Sequence, residues 1–187
     1  MPTEMITKLA AAERQMNEAI RLFFERRDIV SMHTLAAASD QVLSDVCVAK
    51  GIESQLRHDA YFIREEAHKK WFRALTQAEN FFKHAERDPG GTLDFNTEQT
   101  MWVLFDATCL YWRLTNDYTH EARVFLCWFF LRKPDLLHDF PFKQSLVNLS
   151  DSTNVSADDF AFFACLITEG KGLAPRWGTF PGIKKKE

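Results

Sequence analysis

Residues 64–88, REEAHKKWFRALTQAENFFKHAERD, form the longest unbroken helical pattern in the chain. Trp71, Leu75, Ala78, Phe82 and Ala85 recur at steps of three and four, which puts them on one apolar face. Lys69, Arg73, Thr76, Asn80, Lys83 and Arg87 recur at the same steps on another side, with His84 beside them. A helix of this kind needs neighbours to cover its oily flank and leaves the charged flank in water. The pattern therefore predicts a helix from Arg64 to about Asp88, stopped by Pro89-Gly90-Gly91, with a helical bundle around it.

The rest of the chain fits an all-α protein. Seven Gly and six Pro are too few for a turn-rich β architecture, and no segment alternates with period two. A length of 187 residues predicts one domain, residues 1–172, followed by an irregular C-terminal tail at 173–187. Seventeen Phe and five Trp can fill an aromatic core. A net charge of −3 argues against an overall polycation for nucleic acid but leaves room for a local basic strip. No apolar run approaches the ~20 residues that span a bilayer, and no secretion signal is visible, so a soluble cytoplasmic protein without a membrane partner is expected. Cys47, Cys109, Cys127 and Cys165 lie far apart in apolar stretches and read as buried reduced thiols.

In order, the predicted helices are 4–26, 29–50, 64–88, one opening at Asn96, one opening at Thr119, and one following Ser156-Ala-Asp-Asp159. The short polar step at Arg26-Arg27-Asp28 makes the first two an antiparallel hairpin, with Asp28 as a cap and Gly51 as the stop. Residues 54–59 suggest a turn or two of helix, and 136–154 a loop. Phe125, Leu126, Trp128, Phe129 and Phe130 make the fifth helix apolar nearly all round, so it is either the most buried element or covers a partner. The central and fifth helices are expected to meet in the aromatic core.

Four candidate chemistries follow. Asn80, Lys83, His84 and Arg87 span two turns of one helix side and could bind a phosphate or carboxylate; a solvated helix face with a Glu79–Lys83 pair is the plainer alternative. His33 lies in the second helix near the small run Ala36-Ala37-Ala38-Ser39, as a core or cleft histidine and a possible ligand contact. Glu65-x-x-His68 has the spacing of a di-metal bundle site, but such a site needs a second copy, and Asp117-x-x-His120 straddles a helix break. No metal ligand set and no cofactor is therefore assigned. The chain also lacks a Gly-x-Ser-x-Gly elbow and a Gly-rich phosphate loop.

The stretch AIRLFFERRDIVSMHTLAAASDQVLSDV, at residues 19–46, resembles the opening of HEPN-type helical domains. Active members of that family carry an Arg, a polar residue and, a few positions on, a His that together bind and cleave RNA in a dimer cleft. Arg113 and His120, with six residues between them, match the spacing, although Leu114 stands where the family has its polar residue. The resemblance implies catalytic roles for Arg113 and His120, with His84 as a further candidate. Three readings stay open: a non-enzymatic helical domain that associates with itself or a protein partner, an HEPN-like binder or metal-independent nuclease for RNA or nucleotide, and a di-metal oxidoreductase.

Overall fold

The computed structural model describes residues 3–52, 68–86, 88–134 and 155–169, with the backbone alone at 68, 70–72, 74 and 75. Six helices and no strand occur among the described residues: α1 Lys8–Phe24, α2 Ile29–Ala49, α3 His68–Lys83, α4 Glu98–Thr115, α5 His120–Arg132 and α6 Phe160–Glu169. The all-α architecture is as expected. No described helix is long and apolar enough to cross a membrane. The expected helix at 54–59, the loop at 136–154 and the tail at 173–187 lie outside the described residues.

Local signals set most boundaries. Thr7 caps α1 by accepting from the Ala10 amide, so this helix starts four residues later than its apolar pattern suggested. Asp28 accepts from the Ser31 amide and starts α2. Gly51 takes a positive φ of 72° just past the end of α2, a conformation that costs glycine nothing. Thr119 accepts from the Ala122 amide and caps α5 as expected. Asn96, the expected cap of α4, stands one residue before the cap position Thr97 and accepts from the Glu98 amide, and Asp159 rather than Ser156 accepts from the first turn of α6, at the Phe162 amide. Arg26, in the α1–α2 turn, takes a left-handed φ of 52°. The amide of Arg27 bonds back to the Leu22 carbonyl across that turn, and the Arg26 guanidinium lies 4.5 Å from the centre of the Phe160 ring.

The element around which the others gather is α1, not the central helix. It forms the antiparallel hairpin with α2 and also packs on α4, α5 and α6. Ala12, Met16, Ala19 and Ile20 are fully buried on it. The Ser39 hydroxyl donates to the Ala12 carbonyl at 2.8 Å, which the small residues of α2 make possible by letting the two backbones approach. The aromatic core lies between α1, α4, α5 and α6. Phe105 stacks on Phe129 at 4.2 Å, and Phe24 stacks on Phe163 at 5.4 Å. Phe23 meets Trp128 edge-on at 4.7 Å. Of the two expectations for α5, burial within its own chain is the one realised: Phe125 and Phe129 are fully buried, and Trp128 and Phe130 nearly so.

Two expectations about α3 need correction. It ends at Lys83, with the His84 amide closing the last turn on the Asn80 carbonyl, rather than running to Asp88. Phe82 is the last side chain of its seam to find cover, and Ala85 is exposed, so no burial carries the helix further. Nor, among the described residues, does α3 pack against α5 as expected. It leans on α2 instead, with Ala78 buried and Phe82 against His33 and Phe95.

A second stripe of α1, turned toward the α4–α5 corner, is polar. Glu13, Asn17 and Arg21 stand one helical turn apart. Glu13 accepts from the Tyr111 hydroxyl at 2.7 Å, Asn17 accepts from the Thr119 hydroxyl at 2.7 Å, and Arg21 donates to the buried Glu121 carboxylate. Thr119 is thus both a helix cap and a partner of α1. Thr119→Ala should destabilise the fold by about 1–2 kcal/mol, and Phe129→Ala by about 3–5 kcal/mol, both read from urea unfolding midpoints. Thr119→Ala within a few tenths of a kcal/mol of the parent would contradict the double role.

Candidate functional site

The seam between α2 and α3 holds the densest group of candidate residues. His33 is fully buried on α2. Its Nδ1 shares a 3.0 Å hydrogen bond with Thr100 Oγ1 in the first turn of α4. Its ring meets Phe95 at 4.8 Å and Phe82 at 5.8 Å, both edge-to-face. The Nε2 atom is buried and has no hydrogen-bond partner. Burial holds the imidazole well below its ordinary value, at about 4; the Glu79 carboxylate opposes this shift and the Lys83 ammonium adds to it. His33 is therefore neutral at pH 7.

Asn80, Lys83 and His84 sit together on the outer side of the same helix end, all three exposed. Lys83 is already engaged by Glu79 at 2.7 Å, the i, i+4 pair expected of a solvated face. His84 Nδ1 lies 3.9 Å from Glu86. Arg87 lies outside the described residues. The row occupies a helix C-terminus, where unpaired carbonyls favour a cation such as Lys83 and oppose a bound anion. With its lysine paired and the dipole reversed, this end is poorly built for a phosphate. It offers instead a surface of mixed sign: Lys83 and His84 stand next to Glu86 and Asp88, all exposed. The Asp88–Gly91 turn closes through the Gly91 amide on the Asp88 carbonyl at 2.8 Å. A Cβ on Gly91 would lie 2.7 Å from the exposed Asp88 carboxylate, which would have to turn aside to admit it.

Arg113 and His120 flank the α4–α5 corner but face different neighbours. Arg113 is in the last turn of α4, and its charge acts on the thiols of Cys47 and Cys109, on the α2 side. His120 is the first residue of α5, and its Nε2 donates to the Leu166 carbonyl of α6 at 2.8 Å. The helix break falls inside the motif: Asn116, at φ 58°, ends α4 in the left-handed region. The Asp117 and His120 pair fares no better as metal ligands. Asp117 accepts from Arg123 at 2.6 Å and lies before the start of α5, so the two are not on one helix. Glu65 lies outside the described residues. No group of three His, Cys, Asp or Glu among the described residues is placed to hold a metal ion.

Sequence reasoning grouped His33 with the exposed row but did not see that Phe82 separates them. It also missed the stripe Glu13, Asn17 and Arg21, which reads as a solvated face because its partners are some hundred residues away. Asp40 and Asp106, buried on α2 and α4, were missed as well.

The cysteines divide differently from the expectation that all are buried. Cys47 and Cys127 are buried and Cys109 is half-buried, but Cys165 is exposed on α6, where its thiol donates to Glu169. Burial pushes Cys47 up to about 11 and Cys127 up to about 12, and raises Cys109 further. Hydrogen bonding to Glu169 raises Cys165 as well, so no described thiol is activated. Native iodoacetamide labelling at pH 8, read by peptide mass, should modify Cys165 first and leave Cys47 and Cys127 unmodified until denaturant is added. Early labelling of Cys47 would contradict the packing of α2 on α4.

Comparison of the chain with protein-family models, with curated proteins and with solved structures gives no match.

Proposed function

We propose that this chain is a non-enzymatic helical interaction domain that associates with a second copy of itself through the end of α3 and the turn after it. One observation supports the reading above the rest. Two of the candidate histidines are committed within the fold, His120 to the Leu166 carbonyl and His33 to the interior, while the α3 end, with His84, stays exposed. That end carries both signs within a few residues. Lys83 and His84 of one copy can therefore face Glu86 and Asp88 of another about a two-fold axis, the arrangement that a self-complementary patch favours.

An HEPN-like RNA or nucleotide binder, as a metal-independent endoribonuclease, is the second reading. It is favoured by the α1–α2 hairpin and by Arg113 and His120 lying at opposite ends of one short corner. In that chemistry the imidazole would serve as acid and base, and the guanidinium would hold phosphate charge. It requires His120 to leave the Leu166 carbonyl when RNA binds.

Light scattering of the full chain over a range of micromolar concentrations separates the two. The interaction reading predicts a mass that rises above the 21.7 kDa of one chain. It also predicts that Lys83→Glu with His84→Glu lowers the association constant at least tenfold without changing the unfolding midpoint, since like charges would then face each other. A strict monomer at every concentration overturns self-association. Cleavage of labelled single-stranded RNA by the parent chain and not by His120→Ala would replace this reading with the nuclease.

A further inference from the structure

The α2–α3 seam is built around a group that titrates, and the surroundings of that group suit only one of its two protonation states. We propose that His33 is an acid-sensitive latch: its protonation releases the second half of α3, together with the segment bearing Phe95, from α2 and α4, while the α1-centred core stays folded. The inference does not rest on the self-association reading above.

The geometry carries it. His33 has no solvent exposure, and of its two ring nitrogens only Nδ1 has a partner, Thr100 Oγ1. Whichever tautomer is present at neutral pH, the imidazolium carries an N–H at Nε2, and there it finds no acceptor. Edge-to-face packing of Phe82 and Phe95 surrounds the ring with apolar surface, where an uncompensated buried charge is costly.

Among the described residues, the charged groups that act on His33 are both on α3: Glu79, which favours the cation, and Lys83, which opposes it. These two already form a pair with each other at 2.7 Å. One carboxylate would then have to serve two cations. From α4 the facing group is the neutral Thr100, and from the 88–97 connection it is the ring of Phe95.

The same rings hold α3 in place. Among the described residues, Phe82 reaches α2 through His33 and reaches the connection through Phe95. Ala78 is the fully covered side chain of this half of α3, and Phe82 is half-buried. A charge on His33 therefore acts at the point where the helix is fastened, and the core of α1, α5 and α6 has no part in it.

The direction follows from linkage. The folded form holds His33 at about 4 against the ordinary 6.5. The stabilisation that a neutral His33 gives to docking is thus present above pH 6.5 and is lost as pH falls from 6.5 toward 4.

A titration of the isotope-labelled full chain by NMR from pH 7.5 to 4 tests the proposal. Amide signals of residues 76–96 are expected to shift or broaden together, with the same midpoint as the His33 ring signal. Cross-peaks from the His33 ring to Phe82 and Phe95 should be lost, and amides of 12–24 should hold their positions. In His33→Gln, which keeps a polar group near Thr100 but does not titrate in this range, the 76–96 transition should be absent. The proposal is overturned if residues 76–96 stay in place while His33 takes up its proton, if His33→Gln shows the same transition, or if 12–24 unfold at the same midpoint. Should His33→Gln fail to fold, the comparison of midpoints in the parent chain decides alone.

Discussion

Everything else in the structure depends on α1 being covered on several sides at once. A helix of 17 residues normally has one buried face and one wet face. Here the buried face meets α2, α4, α5 and α6, and the polar flank meets the α4–α5 corner. Met16, Ile20 and Phe24 each contribute about 2 kcal/mol by leaving water. The three polar contacts add register more than energy. A hydrogen bond is worth about 1 kcal/mol net, but Glu13, Asn17 and Arg21 can each meet their partners only when α1 sits at one rotation and one height.

That fixed rotation shapes the candidate sites. Tyr111, Thr119 and Glu121 bracket the corner that carries Arg113 and His120, and each is held by α1. Within this frame Arg113 looks toward α2 and His120 toward α6. The α2–α3 seam differs in kind. It depends on a few rings and one imidazole, and it stands apart from the aromatic core. The molecule thus combines a deeply packed centre with a more lightly fastened helix, and the exposed mixed-charge surface belongs to the lighter part.

How much was legible in the sequence follows from the range of the forces involved. Caps and stops are local, so Asp28, Gly51, Asn96 and Thr119 announced their roles from their own neighbours. The burial of α5 was legible too, because a run such as FLCWFFL has no wet side to offer. The end of α3 was placed too late, since the apolar period continues to Ala85 although no neighbour covers it. The hub was misplaced for a related reason. Periodicity reports how amphipathic a helix is, and residues 64–88 show that most clearly. How many partners a helix has is a property of the assembled bundle. Of the candidate site, the grouping of Asn80, Lys83 and His84 was readable because it lies within one helix. The bond from His120 to the Leu166 carbonyl was not, because it joins α5 to a residue 46 positions away in α6.

Native-state hydrogen exchange at neutral pH tests the central position of α1 most directly. If α1 is the element that α2, α4, α5 and α6 together cover, amides 12–24 should exchange only through global unfolding, with opening free energies equal to those of α5 and above those of α3. Amides of 12–24 exchanging faster than those of 76–83 would contradict it and return the organising role to α3.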